Sequence, residues 1–155
     1  MKSGFIHNDV LLRTAEHRFR ELGAQTCREY LVHVRGHCGF IDLRVDFPSF
    51  PIACEAETTP RRIQWDKEKA RAMGAGTLLI LVPTGRVARA CRTKAAAEKP
   101  LYGGVYPETF FLTLGAFNKW LVQCFSLISR SFETSKTTLL PSSDIHSIST
   151  QHSEL

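Results

Sequence analysis

Apolar and polar residues alternate along the first third of the chain in a pattern that predicts one helix and then three strands. Apolar residues recur at helical spacing over residues 8–22, and Gly23 ends that helix. Residues 30–34 and 39–47 are typical of strands, and residues 39–47 alternate between apolar and polar side chains. A third strand is predicted over residues 52–58, so the three strands are expected to form a meander.

The remainder of the chain alternates between helices and strands. Thr59 and Pro60 mark the start of a helix, because proline is favoured at the first helical position. Residues 77–82 are continuously apolar, which indicates a strand buried on both faces. The predicted helices cover residues 59–73, 84–97 and 116–130, and a last strand covers residues 109–114. The order α-β-β-β-α-β-α-β-α predicts an α/β protein with a mixed β-sheet flanked by helices.

The composition fits a single globular domain, which we assign to residues 1–132. Of the 155 residues, 43% are hydrophobic and 23% are charged. The longest uncharged apolar stretches have about ten residues, whereas a membrane-spanning helix needs roughly 20, so no membrane association is expected. Residues 133–155 contain ten serine or threonine residues and few large apolar ones, which predicts a disordered tail.

The cysteines and the first residues of the chain bear on the cellular compartment. The five cysteines are widely spaced and include no CxxC pair, so neither a disulfide framework nor a zinc ribbon is expected. Residues 1–9 contain no apolar core of a signal peptide and end in Asp9. A cytoplasmic location is therefore expected.

The excess of positive charge is concentrated in the middle of the chain. Residues 61–100 carry ten basic and three acidic side chains, whereas the segments before and after them each have a net charge of −1. A basic segment of this kind suits a polyanionic partner such as nucleic acid, and an ordinary solvated basic surface is the alternative. The residues expected to contact phosphates are Arg61, Arg62, Arg86, Arg89, Arg92 and Lys94.

Three carboxylates form the most informative local pattern. Asp42 lies on the polar side of the alternating strand, and Glu55 and Glu57 lie two residues apart in the next strand. Because residues i and i+2 of a strand share a face, and paired strands lie roughly 4.8 Å apart, the three side chains can converge. Converging carboxylates repel one another, and a hard divalent cation such as Mg²⁺ or Mn²⁺ would relieve the repulsion. The alternative is that all three are surface acids on a solvated face.

The arrangement of these residues resembles the PD-(D/E)XK nuclease superfamily. The resemblance rests on the segments Gly-Phe-Ile-Asp-Leu (39–43), Ile-Ala-Cys-Glu-Ala-Glu (52–57) and Gly-Ala-Gly-Thr-Leu-Leu-Ile-Leu-Val (74–82), and on the element order over residues 8–115. It implies a restriction-endonuclease-like fold and the hydrolysis of DNA phosphodiester bonds by a metal-activated water. It also implies that Asp42 and Glu55 bind Mg²⁺ or Mn²⁺.

One residue departs from the superfamily pattern. The usual lysine two residues after the glutamate, which helps to orient the attacking water, is Glu57 here. Either Glu57 is a third acidic residue of the site or the site is impaired. A catalytically inactive nuclease-fold protein that binds nucleic acid or a protein partner is therefore the alternative function.

The missing cation is expected on the helix that follows, where some similar nucleases carry it. The candidates are Arg62, Lys67 and Lys69. At 100° per residue Lys67 lies nearer to the apolar stripe of this helix than Lys69, so Lys67 is favoured; the alternative is that both lysines are solvated. Similar nucleases often supply a further acid from the first helix, and Glu16 is the best match for it here.

The last predicted helix, residues 116–130, carries more apolar side chains than one buried stripe requires. Val122 and Phe125 fall at or beyond the margin of that stripe. An exposed apolar patch often marks an interface, so a two-fold homodimer is one expectation. The alternative expectation is that these residues are buried within one subunit.

Overall fold

The computed structural model describes the backbone of residues 5–47 and 50–137 and the side chains of residues 9–47 and 50–126. A π-helical segment, Phe5–Leu12, leads into the first α-helix, and a 3₁₀ turn, Pro60–Arg62, leads into the second. The elements in chain order are α1 (Arg13–Glu21), β1 (Gln25–Val34), β2 (His37–Asp46), β3 (Pro51–Ala56), α2 (Ile63–Met73), β4 (Thr77–Leu81), α3 (Gly85–Ala97), β5 (Glu108–Leu112) and α4 (Leu114–Thr137).

One five-stranded mixed sheet, in the order β1-β2-β3-β4-β5, lies at the centre of the fold. The β1–β2 and β2–β3 pairs are antiparallel, and the β3–β4 and β4–β5 pairs are parallel. Parallel neighbours need a crossover connection, which α2 and α3 supply after β3 and β4. The predicted α/β class, with a mixed sheet flanked by helices, is confirmed.

The strand β4 is buried on both faces, as its apolar sequence predicts. Four consecutive side chains of β4 have none of their surface exposed: Leu78, Leu79, Ile80 and Leu81. Ile63 of α2 and Cys91 of α3 belong to the same apolar cluster as alternate residues of β4. Phe19 of α1 packs edge to face against Phe117 of α4, with 5.4 Å between the ring centroids. Residues of α2 and α3 thus pack with β4 in one apolar core.

The hairpin of β1 and β2 is longer than the sequence predicts. β1 begins at Gln25 rather than at residue 30, because its backbone pairs with β2 as far as Asp46. The residues at the start of β1 are mostly polar and show no alternation of apolar side chains. The hydrophobic pattern therefore gave no signal for this part of the strand.

The helix α4 extends beyond the predicted domain boundary at residue 132. Residues 133–137, assigned to a disordered tail, are helical, because the sequence contains no glycine or proline to end the helix before Pro141. The rest of the predicted tail, residues 138–155, lies outside the described residues. By its internal contacts the chain divides into two compact units, Met1–Trp120 and Leu121–Leu155, and the first contains the whole sheet.

The second unit carries the apolar residues on which the homodimer prediction rests. Val122 is 61% exposed, and Phe125 is partly exposed. The homodimer stays a prediction. Among the helices that the structure describes, α4 included, none is long and apolar enough to cross a lipid bilayer.

Shortening Ile80 to alanine should destabilise the protein, because Ile80 is fully buried in β4. We expect Ile80→Ala to lower the free energy of unfolding in urea by about 2–5 kcal/mol, through reduced apolar burial and the cavity left behind. Val105→Ala is the control: Val105 is 85% exposed, so its truncation should change that free energy by less than about 0.5 kcal/mol. Equal effects of the two substitutions would contradict the assigned core.

Candidate functional site

The strands β2 and β3 separate at the point where Asp42 and Glu55 face each other. The last backbone pair at this end is Leu43 opposite Cys54. Beyond it, side chains supply the hydrogen bonds. The N–H of Ala56 donates to Asp42 Oδ2 at 3.0 Å, and the N–H of Asp42 donates to Glu55 Oε2 at 3.4 Å. Each carboxylate thereby accepts a hydrogen bond from the backbone of the opposite strand across the gap.

The ammonium of Lys69 enters this gap from α2. Its Nζ lies 2.6 Å from Glu55 Oε1 and donates a 2.8 Å hydrogen bond to the carbonyl oxygen of Phe40. The aliphatic part of Lys69 lies against Gly39, where an added Cβ would be 3.1 Å from Lys69 Cδ. Glycine at position 39 therefore gives the lysine side chain the room that it needs to reach the carboxylates.

A third carboxylate, Asp66, contacts the same ammonium, although the sequence pattern does not single it out. Asp66 Oδ1 lies 3.0 Å from Lys69 Nζ, about one turn away on α2. Its other oxygen, Oδ2, is buried and has no hydrogen-bond partner among the described residues. The available signal was the i, i+3 spacing of an acid and a lysine, which is common on solvated helices and is therefore uninformative alone.

Burial governs the electrostatics of this cluster. Glu55 and Asp66 are each 1% exposed, and Lys69 is 6% exposed. Burial raises the pKa of Glu55 well above its usual value, the charge of Asp66 raises it further, and Lys69 opposes both effects. Burial likewise raises the pKa of Asp66 against the effect of Lys69. Burial acts to lower the pKa of Lys69, but the two carboxylates outweigh it and raise that pKa. Two buried carboxylates thus share one ammonium.

Glu57 is also buried, and a surface arginine balances it. It is 3% exposed, and its Oε1 lies 3.1 Å from Arg62 Nη2. The charge of Glu57 is the main cause that raises the pKa of Arg62. Burial raises the pKa of the Cys91 thiol to about 11, and the charges of Glu57 and Asp66 add to that effect. The negative potential of the site therefore extends into the core beside α3.

Lys67, the cation favoured by the sequence, contacts α3 and not the carboxylates of β2 and β3; a catalytic role for it stays a prediction. Lys67 Nζ donates to the carbonyl oxygen of Ala95 in α3 at 3.0 Å and lies 5.1 Å from the centre of the Tyr106 ring. Both lysines are 6% exposed. Helical spacing correctly indicates that Lys67 is buried, but it does not tell which neighbouring element each lysine meets.

Glu16 belongs to a different cluster, between α1 and β1. Its carboxylate lies 2.7 Å from Arg20 Nη2 and 3.5 Å from Arg28 Nη1, and it accepts a 3.3 Å hydrogen bond from Thr26. None of these partners belongs to the carboxylate pair of β2 and β3. A role for Glu16 as a metal ligand stays a prediction.

Three predicted phosphate-binding residues follow the carboxyl ends of β3 and β4, where the carboxylates also lie. Arg61 and Arg62 belong to the turn after β3, and Arg86 lies in the first turn of α3, after β4. All three are exposed. The carboxyl ends of parallel strands are the edge at which open α/β sheets usually bind ligands. The structure therefore places exposed positive charge at the same edge as the carboxylates.

The other predicted basic residues lie farther along α3. Arg92 donates to the carbonyl oxygen of Phe111 in β5 at 3.4 Å, and Lys94 lies 3.7 Å from Glu98. Arg89, Arg92 and Lys94 are all exposed. They extend a basic surface along α3 rather than adding to the edge beside the carboxylates.

The carboxylates fit a divalent cation with few protein ligands better than a closed metal cage. Over residues 9–47 and 50–126, no group of three or more His, Cys, Asp or Glu side chains is placed to hold a metal ion. Mg²⁺ is usually bound by one or two carboxylates and several waters, and Asp42 and Glu55 supply two. The buried oxygen of Asp66 that accepts no hydrogen bond from the described residues marks a place where negative charge is incompletely compensated.

The geometry of this site is the basis for functional inference, since no protein-family model, curated protein or solved structure matches the chain. The resemblance to the PD-(D/E)XK superfamily therefore depends on the residues quoted above and on their placement. Asp42 and Glu55 face each other where β2 and β3 separate, and Lys69 contacts Glu55; the resemblance itself stays a prediction.

Replacing Glu55 by glutamine tests whether the metal-free site carries an excess of buried negative charge. Because the folded-state pKa of Glu55 is raised, folding favours its protonated form. Protonated Glu55 therefore stabilises the folded protein fully at pH values below the ordinary pKa of glutamate, about 4.3. This stabilisation is lost as the pH rises from there through the raised pKa of Glu55 in the folded protein. We expect Glu55→Gln, in a chelator at about pH 7, to leave the free energy of unfolding unchanged or to raise it.

The pH dependence of unfolding provides the check on this prediction. The stability of Glu55→Gln should vary less with pH above about 4.3 than that of the wild type. Glu108→Gln is the control, because Glu108 is exposed. A decrease of about 3–5 kcal/mol in Glu55→Gln would contradict the account, since it would mean that Lys69 is left as an uncompensated buried charge.

Proposed function

We propose that this protein is a metal-dependent nuclease that hydrolyses DNA phosphodiester bonds. The observation that carries the proposal is that Asp42 and Glu55 face each other where β2 and β3 separate. Each carboxylate accepts a backbone N–H from the opposite strand, and Lys69 Nζ lies 2.6 Å from Glu55. Oxygen ligands for a hard cation, beside a lysine and exposed arginines, are the groups that phosphoryl-transfer chemistry uses.

We propose in addition that the fold is restriction-endonuclease-like. The order α-β-β-β-α-β, with a three-stranded meander followed by a parallel strand after a crossover helix, supports this assignment. The position of Lys69 supports it as well, because some nucleases that the sequence resembles carry their lysine on the helix after the glutamate strand. Lys69 would then supply the cation that is absent at Glu57.

The roles of the residues follow from their placement. Asp42 and Glu55 would hold Mg²⁺ or Mn²⁺, which when bound lowers the pKa of a coordinated water and polarises the phosphate. Lys69 would stabilise the negative charge that develops on the reacting phosphate. The exposed arginines at this edge of the sheet would bind flanking phosphates and position the strand without reading its sequence: Arg61, Arg62 and Arg86.

A catalytically inactive nuclease-fold protein that binds nucleic acid or a protein partner is the second candidate. The observation that favours it is the state of the site, in which Glu55 is 1% exposed and in contact with Lys69. Glu57, paired with Arg62, also stands where the superfamily usually has its lysine. Such a protein would use the basic edge and leave the carboxylates without a catalytic task.

Cleavage of DNA by site variants tests the proposal. The wild type should cleave single-stranded or duplex DNA in Mg²⁺ or Mn²⁺ but not in a chelator. Asp42→Asn and Lys69→Met should each lower the rate by about 100-fold or more, because each removes a charge at the reacting centre. Lys67→Met is the matched control, since Lys67 is equally buried on α2 but contacts α3. It should retain activity.

Two outcomes would contradict the nuclease proposal. One is a wild-type protein that binds DNA but cleaves neither DNA nor RNA in either metal, which would favour the inactive alternative. The other is an equal loss of activity in Lys67→Met and Lys69→Met with unchanged melting temperatures. That result would show that the contact of Lys69 with the site has no specific effect on catalysis.

The salt dependence of DNA binding tests the basic surface. Reversing Arg86 and Arg89 to glutamate should weaken binding to all sequences alike. It should also reduce the slope of log K against log salt, by about 0.9 for each phosphate that the variant no longer neutralises. The control reverses Arg13 and Lys119, two exposed basic residues of α1 and α4, and should change the slope little. Equal effects of the two pairs would show that only net charge matters.

A further inference from the structure

Two buried carboxylates on α2 differ in how completely they are bonded. Glu68 accepts hydrogen bonds from the N–H of Leu101 and the hydroxyl of Tyr106, each at 2.8 Å. Asp66 contacts Lys69 through Oδ1 and leaves Oδ2 without a hydrogen bond from any described residue. A half-satisfied buried carboxylate costs stability, and such costs are typical of functional positions. Glu68 fixes the loop before β5, whereas Asp66 calls for another explanation.

We propose that Asp66 is a positioning residue that keeps the ammonium of Lys69 directed into the site when Glu55 binds a metal ion. This inference rests on the proposed function and assigns a role to a residue that the superfamily resemblance does not identify. Asp66 would act through Lys69 and would not itself be a metal ligand.

The contacts of Lys69 come from three different elements. Its Nζ lies 2.6 Å from Glu55 of β3, 3.0 Å from Asp66 of α2 and 2.8 Å from the carbonyl oxygen of Phe40 in β2. A lysine ammonium has three protons, so these three oxygens fix its direction. If Glu55 is engaged elsewhere, Asp66 and the Phe40 carbonyl still hold the ammonium. Without Asp66, one neutral carbonyl oxygen remains.

Competition for Glu55 makes the second carboxylate necessary. A cation on Glu55 repels Lys69 and takes up the negative charge that balanced it. A buried ammonium that loses its anionic partner is strongly destabilised, so Lys69 would oppose cation binding unless another anion were present. Asp66 lies on the same helix as Lys69, so the ion pair between them does not depend on the position of β3.

Manganese affinity of the full-length protein, measured by calorimetry, gives the first test. We expect Asp66→Asn to weaken Mn²⁺ binding by about tenfold to a hundredfold, the usual effect of removing a residue that supports a metal site from outside it. In the Lys69→Met background the same substitution should leave the affinity unchanged. Weakening in both backgrounds would identify Asp66 as a ligand and overturn the proposal. An unchanged affinity with a lowered melting temperature would show a purely structural role and also overturn it.

The metal-free protein gives a second test that does not depend on the proposed function. In NMR spectra of the Lys69 ammonium, Glu55→Gln should retain a slowly exchanging signal, because Asp66 and the Phe40 carbonyl still hold Nζ. The double variant Glu55→Gln, Asp66→Asn should lose that signal. Its persistence in the double variant, or its disappearance in Glu55→Gln alone, would overturn the positioning role. A wild type that binds no Mn²⁺ would instead refute the metal site itself.

Discussion

The arrangement of the site depends on the contact between the ammonium of Lys69 and oxygens from three elements. This contact ties α2 to β2 and β3 at the place where backbone pairing of the two strands ends. Gly39 leaves the space through which the lysine side chain passes. Because the ammonium is buried, losing both of its carboxylate partners would have a cost that an exposed ion pair would not have. One side chain therefore both supports the fold and lies beside the candidate metal ligands.

The charge around Lys69 is unbalanced in a way that stability alone does not explain. Glu55 and Asp66 share a single ammonium in a buried setting, and Asp42 lies next to them. A divalent cation would supply the missing positive charge, and the exposed arginines at the same edge of the sheet would hold a polyanion beside it. The proposed nuclease function accounts for both features together.

The fold was largely predictable from the sequence, because alternation in the second strand and the continuous apolar run at 77–82 reflect how each strand is buried. The proximity of Asp42 and Glu55 was predictable too, since pairing of neighbouring strands fixes which residues lie opposite. That Lys69 and not Lys67 contacts the carboxylates was not predictable, because helical periodicity gives the direction of a side chain but not the element that it meets. Asp66 was missed for the related reason that its burial depends on the packing of α2 against the sheet.

The most direct test of the central claim is the anomalous X-ray signal of manganese in crystals grown with a concentration of Mn²⁺ that supports DNA cleavage. The account predicts one peak within bonding distance of the carboxylates of Asp42 and Glu55, with Lys69 Nζ held by Asp66 and the Phe40 carbonyl. Lys69 still in contact with Glu55, and no manganese between Asp42 and Glu55, would contradict it.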